Sequence, residues 1–431
     1  MKIAFINTPL MDYSRHKKKE CQSMAPLGLA MLATIAKQKS LNVYFVDAES
    51  EKMPLQEIID RVNAFCPDYA CINILTPTVG ITAKIISGLN CKIIAGGYHA
   101  TLNAELLLKK YKNLRIIVNG EAEIAFGEIL DGKLLKDIKG ISYKDGTTIR
   151  SNKEQNIILE LDSFPIIDRS FIEHELKAHK EASIIVSRGC CYKCNFCSMP
   201  IMFKGKIRWR SPKNVITEMR YLQKSYGINK FHFLDNLFFI DPDWTREFLS
   251  LIYKNKMKIE WRCITRADII EQMSLQLLSE AKIAGCTKIC MGLESGSQSV
   301  LDLMNKQLTL EQSKKAIEQC KKAKIKVKAY FIIGYPGETK EDVNKTIQFA
   351  KTIKLDDVNF IPLKIYPGTP LYEQNKQINI KYKQIIHLFT NKEKENLTIS
   401  EERLMKYLQV PSFFKDSALQ LIKQAYLKFY S

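Results

Sequence analysis

Short β-rich runs alternate with helix-length amphipathic segments along most of this chain, and that alternation most narrows its possible folds. A strand, a helix and a second strand of the same direction build a parallel sheet with crossover helices. In the first part, strands are predicted at Ile3–Ile6, Val43–Val46, Ala70–Ile74, Lys92–Ala95 and Ile116–Val118. Helices are predicted around Gly28–Lys37, Leu55–Phe65, Ile81–Leu89 and Ala104–Tyr111. The product is an α/β, doubly wound (Rossmann-like) parallel sheet, whose ligand crevice lies beyond the strand C-termini. There stand Asn7-Thr-Pro9, Thr76-Pro-Thr78, Gly96-Gly-Tyr-His-Ala-Thr101 and Asn119-Gly-Glu121. Glycine permits close backbone approach and Thr or Asn can hydrogen-bond a ligand, although each loop taken singly also reads as strand punctuation.

A second alternation runs from Ala182 to about Pro370, with strands at Ala182–Val186, Lys230–Leu234, Glu260–Ile264, Lys288–Gly292, Lys326–Ile333 and Val358–Ile365. Its helices carry start signals: Ser211 before Pro212, Thr309 with Gln312, and Thr339 with Asp342. Six repeats predict an incomplete (β/α)6 TIM-like barrel with its active end at the strand C-termini. Between the two regions, Asp145-Gly146 predicts a hairpin and Asp162–His179 a connector. The expected organisation is therefore 1–135 sheet domain, 136–180 hairpin and linker, 181–375 barrel and 376–431 helical extension.

Composition closes off other classes. With 431 residues and 46% apolar content, the chain can build two or three cores, which excludes a disordered tail-like protein. No apolar run approaches the ~18 residues of a membrane span, and the chain opens on a strand rather than a signal peptide, so a cytoplasmic protein is expected. The net charge of +19 is spread over scattered lysines such as Lys17-Lys18-Lys19 and Lys321-Lys322. Nucleic acid is not an expected partner, because a binding footprint concentrates on one face. Twelve cysteines are too sparse for a disulfide scaffold, and clustered ones then point to metal or chemistry.

One such cluster follows the first strand of the second region: Ser187-Arg-Gly-Cys190-Cys-Tyr-Lys-Cys194-Asn-Phe-Cys197. Cys190, Cys194 and Cys197 form C-x3-C-x2-C, three thiolates on one tight loop that can hold three irons of a [4Fe–4S] cube. The alternative run from Cys191 lacks its fourth cysteine, since Ile201 holds that position. One iron is then open to a non-protein ligand. A four-thiolate zinc site is the competing reading, but adjacent Cys190 and Cys191 reach one tetrahedral ion poorly and no second C-x2-C follows. Buried thiols that merely pack are the plainer alternative.

With these residues, the region from Ala182 to Pro370 resembles the radical S-adenosylmethionine (SAM) superfamily. Phe196 precedes the third cysteine. Trp209-Arg-Ser-Pro212, Phe233-Leu-Asp235, Arg266, Gly292-Leu-Glu-Ser-Gly-Ser297, Phe331-Ile-Ile-Gly-Tyr-Pro-Gly-Glu338 and Ile365-Tyr-Pro-Gly-Thr-Pro370 then follow in family order. Pro26-Leu-Gly28, Leu75-Thr-Pro-Thr78, Gly96-Gly-Tyr-His-Ala-Thr101 and Gly120-Glu-Ala-Glu123 are similar to the N-terminal motifs of its cobalamin-binding subclass. Cys191 stands where the family often has proline, and no Asp-x-His-x-x-Gly supplies a lower cobalt ligand. His16 lacks that context, and His99 is expected to hydrogen-bond a ligand or loop.

The resemblance implies a [4Fe–4S] cluster on Cys190, Cys194 and Cys197, with SAM on the open iron cleaved to a 5′-deoxyadenosyl radical. It implies SAM contacts from Phe196, Asp235, Arg266, Glu294 and Ser295. Asp235 would face the ammonium or ribose, Glu294 and Ser295 the ribose hydroxyls, and Arg266 a carboxylate. Cobalamin contacts are implied for Thr76, Thr78, Gly96, Gly97, His99, Gly120 and Glu121. The implied partners are a small-molecule or peptide substrate and a one-electron donor such as flavodoxin or ferredoxin. The implied reaction is methyl transfer to an unactivated carbon. The alternatives are a cobalamin-dependent cyclisation or rearrangement, a methylthiotransferase acting on RNA or protein, and a non-enzymatic iron–sulfur or corrinoid sensor.

Overall fold

A computed structural model of the chain describes residues 1–14 and 25–375. The expected helical extension and His16 lie outside the described residues. The chain divides into two compact units, one of Met1–Lys180 and one that starts at Glu181.

The first unit holds β1 (Lys2–Asn7), β2 (Asn42–Asp47), β3 (Tyr69–Asn73), β4 (Lys92–Gly96), β5 (Leu114–Val118), β6 (Ile141–Asp145) and β7 (Thr148–Ser151). Their order is β2-β1-β3-β4-β5-β6-β7. β1 pairs in parallel with both β2 and β3, which puts the topological switch point between β1 and β3. Side chains on a strand alternate between faces, and on β1 both sets are buried. Ala4 and Ile6 join one apolar cluster, Ile3 and Phe5 another. Such a sheet needs helices on both faces, as the continuous apolar runs foretold. The Asp145-Gly146 hairpin is part of this sheet: β6 pairs antiparallel with β5 and β7 with β6. Residues 136–180 thus pack with the first unit, because the hairpin completes an edge that β5 would leave open.

The second unit holds β8 (Glu181–Ile184), β9 (Ser187–Arg188), β10 (Arg208–Trp209), β11 (Lys230–Phe233), β12 (Glu260–Thr265), β13 (Cys286–Glu294), β14 (Lys326–Ile333) and β15 (Asp357–Pro362). Six of them form a wholly parallel sheet in the order β15-β14-β13-β12-β11-β8. Sequential order with crossover helices is barrel topology. Among the described residues β8 and β15 do not pair, so the barrel is incomplete.

Here burial is one-sided. Trp261, Cys263 and Thr265 on β12 are buried, whereas Arg262 and Ile264 between them are half-exposed. The half-exposed face carries paired charges: Arg262 forks Glu181 at 2.9 and 2.6 Å, and Lys328 meets Asp357 at 2.9 Å. The buried face is aromatic under β11 and β12, where Phe233 stacks on Phe238 at 4.9 Å and Trp244 on Phe248 at 5.2 Å.

The helix starts read from sequence are present. Ser211 Oγ accepts from Asn214 N–H, and Thr309–Gln312 and Thr339–Asp342 are full capping boxes. The irregularities are tertiary. β9 and β10 make a two-residue antiparallel pair that closes the cysteine loop, and β13 ends in a register shift between Gly292 and Glu294. After that shift, Gly296 lies against the helix Lys340–Thr352. A Cβ there would sit 2.6 Å from both Thr346 Cα and Phe349 Cβ. Neither atom can yield without moving the helix. Gly296→Ala is expected to destabilise the second unit by about 1–3 kcal/mol. Urea unfolding read by tryptophan fluorescence tests this, since Trp209, Trp244 and Trp261 are the chain's three tryptophans. An unchanged midpoint would contradict it.

Candidate metal centre and ligand rim

The loop between β9 and β10 has little regular structure of its own before Met199, so other elements must hold it. At its start, Gly189 has φ +108°, and a Cβ there would run into the Lys206 carbonyl oxygen. That explains the glycine ahead of Cys190. Upstream, Asp235 follows β11 and is 1% exposed. Its carboxylate accepts from the backbone N–H groups of Val186 and Ser187 and from Ser187 Oγ. Burial pushes that carboxyl up to about 7, against the pull of those donors.

Downstream, the loop is tied to the turn at residues 303–307. Asn195 N–H donates to Met304 O at 2.9 Å and its side chain to Leu303 O at 3.0 Å. Asn305 returns a bond to Lys193 O at 2.9 Å, and Leu371 N–H donates to Asn195 O at 3.0 Å. Phe196 packs beside Val300, Met304, Tyr335 and Leu371, which makes it an apolar anchor of the loop.

These ties fix the thiols. Cys190 and Cys194 are buried, Cys197 is half-buried and Cys191 is exposed. Burial raises the Cys190 thiol and pushes Cys197 up to about 11, and mutual charge repulsion adds to both. Cys190, Cys194 and Cys197 therefore share one electrostatic neighbourhood, to which the exposed Cys191 also adds. Among the described residues, no three Cys, His, Asp or Glu converge tightly enough to hold a single ion. Three inward thiols without Cys191 suit a cube that spreads its irons over several ångströms.

Two cations flank them. Arg266 Nη1 donates to Cys194 Sγ at 3.7 Å, and the charge of Lys306 is felt at Cys197. Each cation is balanced: Arg266 forks Asp268 at 2.9 and 3.2 Å, and Lys306 meets Glu294 at 2.8 Å. Glu294 has φ +64°, the left-handed turn that follows the β13 register shift. Ser295 is wholly buried, with its hydroxyl on Thr346 Oγ1 at 3.1 Å and on Ser297 N–H at 3.1 Å.

Of the expected SAM contacts, Asp235 and Ser295 thus spend their polar groups on the frame. Arg266 meets a carboxylate, but that of Asp268. Glu294 remains at the strand end. Sequence reasoning did not single out Lys306, Asp268, Tyr192 or Asn195. Lys306 and Asp268 reach the thiols' surroundings across the fold, whereas Tyr192 and Asn195 lie within the loop and take their roles from distant partners, Arg266 and the 303–307 turn.

In the first unit, Thr76, Thr78, Gly96, Gly97, His99, Gly120 and Glu121 follow β3, β4 and β5 at their C-terminal ends. Gly97 has φ +93°, and a Cβ there would collide with Asn73 Oδ1. His99 Nδ1 lies 3.2 Å from Thr76 Oγ1, and its backbone N–H donates to Ile74 O. Gly120 N–H donates to Thr101 Oγ1 at 3.1 Å, whereas Glu121 accepts from Ile158 N–H at 3.3 Å. Thr78 is buried with its hydroxyl on Leu75 O. Thr8 Oγ1 just after β1 and Asn119 Oδ1 just after β5 are buried with no partner. Unsatisfied buried polar atoms on this rim suit a ligand rich in amide groups, such as a corrin.

A parallel sheet with a polar C-terminal rim and an incomplete barrel that carries Cys190, Cys194 and Cys197 on one loop make an α/β protein with the residues that the expected iron–sulfur cluster requires. The radical SAM superfamily pattern matches residues 184–350, and the B12 binding domain pattern matches residues 22–130. An uncharacterized methyltransferase of Pyrococcus horikoshii is 29% identical, over 94% of this chain and 87% of its own length. The anaerobic magnesium-protoporphyrin IX monomethyl ester cyclase of Cereibacter sphaeroides is 26% identical, over 87% of this chain and 63% of its own. Among solved structures, the radical SAM methyltransferase TsrM of Kitasatospora setae, with tryptophan and a SAM analog bound, superposes with TM-score 0.72. It is 17% identical and covered over 76% of its length by 88% of this chain, a likeness of fold. The chain thus carries a radical SAM domain match at residues 184–350 and a B12-binding domain match at residues 22–130.

Burial lowers the His99 imidazole from 6.5 to about 4. Between those values the unfolded chain binds the extra proton, so His99's contribution to stability is present above pH 6.5 and is lost as pH falls toward 4. NMR titration is expected to find this ring neutral at pH 5.5. A midpoint near 6.5 would refute the assignment.

Proposed function

We propose that this chain is a cobalamin-dependent radical SAM methyltransferase acting on an unactivated carbon of a small-molecule or peptide substrate. A one-electron donor such as flavodoxin or ferredoxin would supply its reductant. The observation that carries this reading is one loop on which Cys190, Cys194 and Cys197 turn inward while Cys191 is exposed. When bound, the cluster, SAM and the corrin supply a carbon-centred radical and a transferable methyl group.

The chain's own work is to hold and to shield. Cys190, Cys194 and Cys197 would ligate three irons and leave the fourth for SAM. Asp235 fixes the approach to that loop through Val186 and Ser187, and Asn195 fixes its exit on the 303–307 turn. Glu294, which pairs with Lys306 at the end of β13, would accept a ribose hydroxyl. Buried surroundings would confine a carbon-centred radical and keep it from side reactions. On the first unit, the loops of Thr76, Thr78, Gly96, Gly97, His99 and Gly120 would hold the corrin. Glu121 would act through the segment at Ile158. His99, bonded to Thr76, is assigned to the rim rather than to cobalt.

A cobalamin-dependent ring closure is the second reading. The similarity to the Cereibacter sphaeroides cyclase favours it. Product analysis separates the two, since methyl transfer yields S-adenosylhomocysteine beside 5′-deoxyadenosine and ring closure does not.

Anaerobic reconstitution is expected to load ~four irons per chain. Cys194→Ala should abolish both the cluster and SAM cleavage, whereas Cys191→Ala should keep both. Iron analysis and 5′-deoxyadenosine assay check this pair. Loss of iron in Cys191→Ala with retention in Cys190→Ala would move the ligand set by one residue.

A further inference from the structure

We propose that Arg266 sets the reduction potential of the cluster held by Cys190, Cys194 and Cys197, with Asp268 as its electrostatic counterweight. The inference rests on reading the three thiols as cluster ligands. Arg266 stands at the end of β12, is 4% exposed and has every nitrogen engaged. Nε and Nη2 fork the Asp268 carboxylate. Nη2 also donates to Lys306 O at 2.7 Å and to Gln307 O at 3.3 Å. Nη1 donates to Cys194 Sγ at 3.7 Å. The guanidinium carbon lies 3.6 Å from the Tyr192 ring centroid.

Five hydrogen bonds and the Tyr192 ring hold the cation in one orientation. That is more than a brace for the loop requires, since Asn195, Asn305 and Leu371 already tie it to the barrel. What Arg266 adds is a charged N–H directed at a ligand sulfur in a place shielded from solvent and salt.

A reduced cube carries one more negative charge than the oxidised one. A hydrogen-bond donor and positive charge beside its sulfur therefore stabilise the reduced form and raise the potential. Asp268 opposes this at the opposite edge of the guanidinium. The balance fits a cluster that must accept an electron from a biological donor yet remain reducing enough to pass it on. The one-electron couple breaks no bond in the protein, and in the test dithionite supplies the electron.

The two partners predict shifts of opposite sign, which a purely structural role would not produce. Redox titration of the reconstituted full-length chain, followed by electron paramagnetic resonance of the reduced cluster, reads them. R266Q is expected to lower the midpoint potential at unchanged iron content, and D268N to raise it. R266K, which keeps the charge but loses the planar fork, should fall between R266Q and the parent. Should R266Q hold no cluster, R266K and D268N carry the test.

An R266Q or R266K potential equal to the parent's, or a D268N potential at or below it, overturns the inference while leaving the cluster in place. A parent chain that takes up no cube overturns the functional reading, and this inference with it.

Discussion

The cysteine loop depends on backbone carbonyls that it does not contain. The turn at residues 303–307 offers them outward. Leu303 O accepts from Asn195 and Tyr335, Met304 O from Asn195, and Lys306 O and Gln307 O from Arg266. Asn305 and Gln307 reach this arrangement in the left-handed region, at φ +49° and +52°. A loop of eight residues from Cys190 to Cys197 could not by itself hold three thiols inward against the cost of ordering it. Cross-bonding to a turn rooted in the barrel removes that freedom once, and the thiols inherit the precision of the barrel.

Charge follows the same plan. Two buried cations near three thiols would be costly alone, and each is therefore matched by a buried carboxylate with hydrogen bonds to spare. Arg266 has Asp268 and two carbonyls, and Lys306 has Glu294. Glu338 shows the related economy of a carboxyl used on backbone. It is wholly buried, accepts from Gly334 and Tyr335 N–H, and is pushed up to about 7 by that burial. These groups organise loops at the strand ends, where the barrel places its chemistry.

The two sheets solve different problems with the same βα grammar. The first is apolar on both faces and exposes chemistry only at its rim, where Thr8 and Asn119 keep buried polar atoms unsatisfied. The second is apolar on one face, and its other face carries Arg262, Glu181, Lys328 and Asp357 in pairs. A rim suits a ligand held by loops.

Local patterning determined the elements: the two strand–helix alternations, the Ser211, Thr309 and Thr339 helix starts, the Asp145-Gly146 turn and the C-x3-C-x2-C spacing all depend on neighbours within a few residues. The family resemblance added expectations for Glu294 and for the rim glycines that local patterning does not carry. Only the tertiary structure decided which of Cys190 and Cys191 faces inward, that Asp235 and Ser295 serve the frame, and that Arg266 meets Asp268, Tyr192 and Cys194 together. Those outcomes arise where β12, the cysteine loop and the 303–307 turn converge from distant parts of the chain. Short-range periodicity carries no record of contacts made across 40 or 72 residues, the separations of Arg266 from Lys306 and from Cys194.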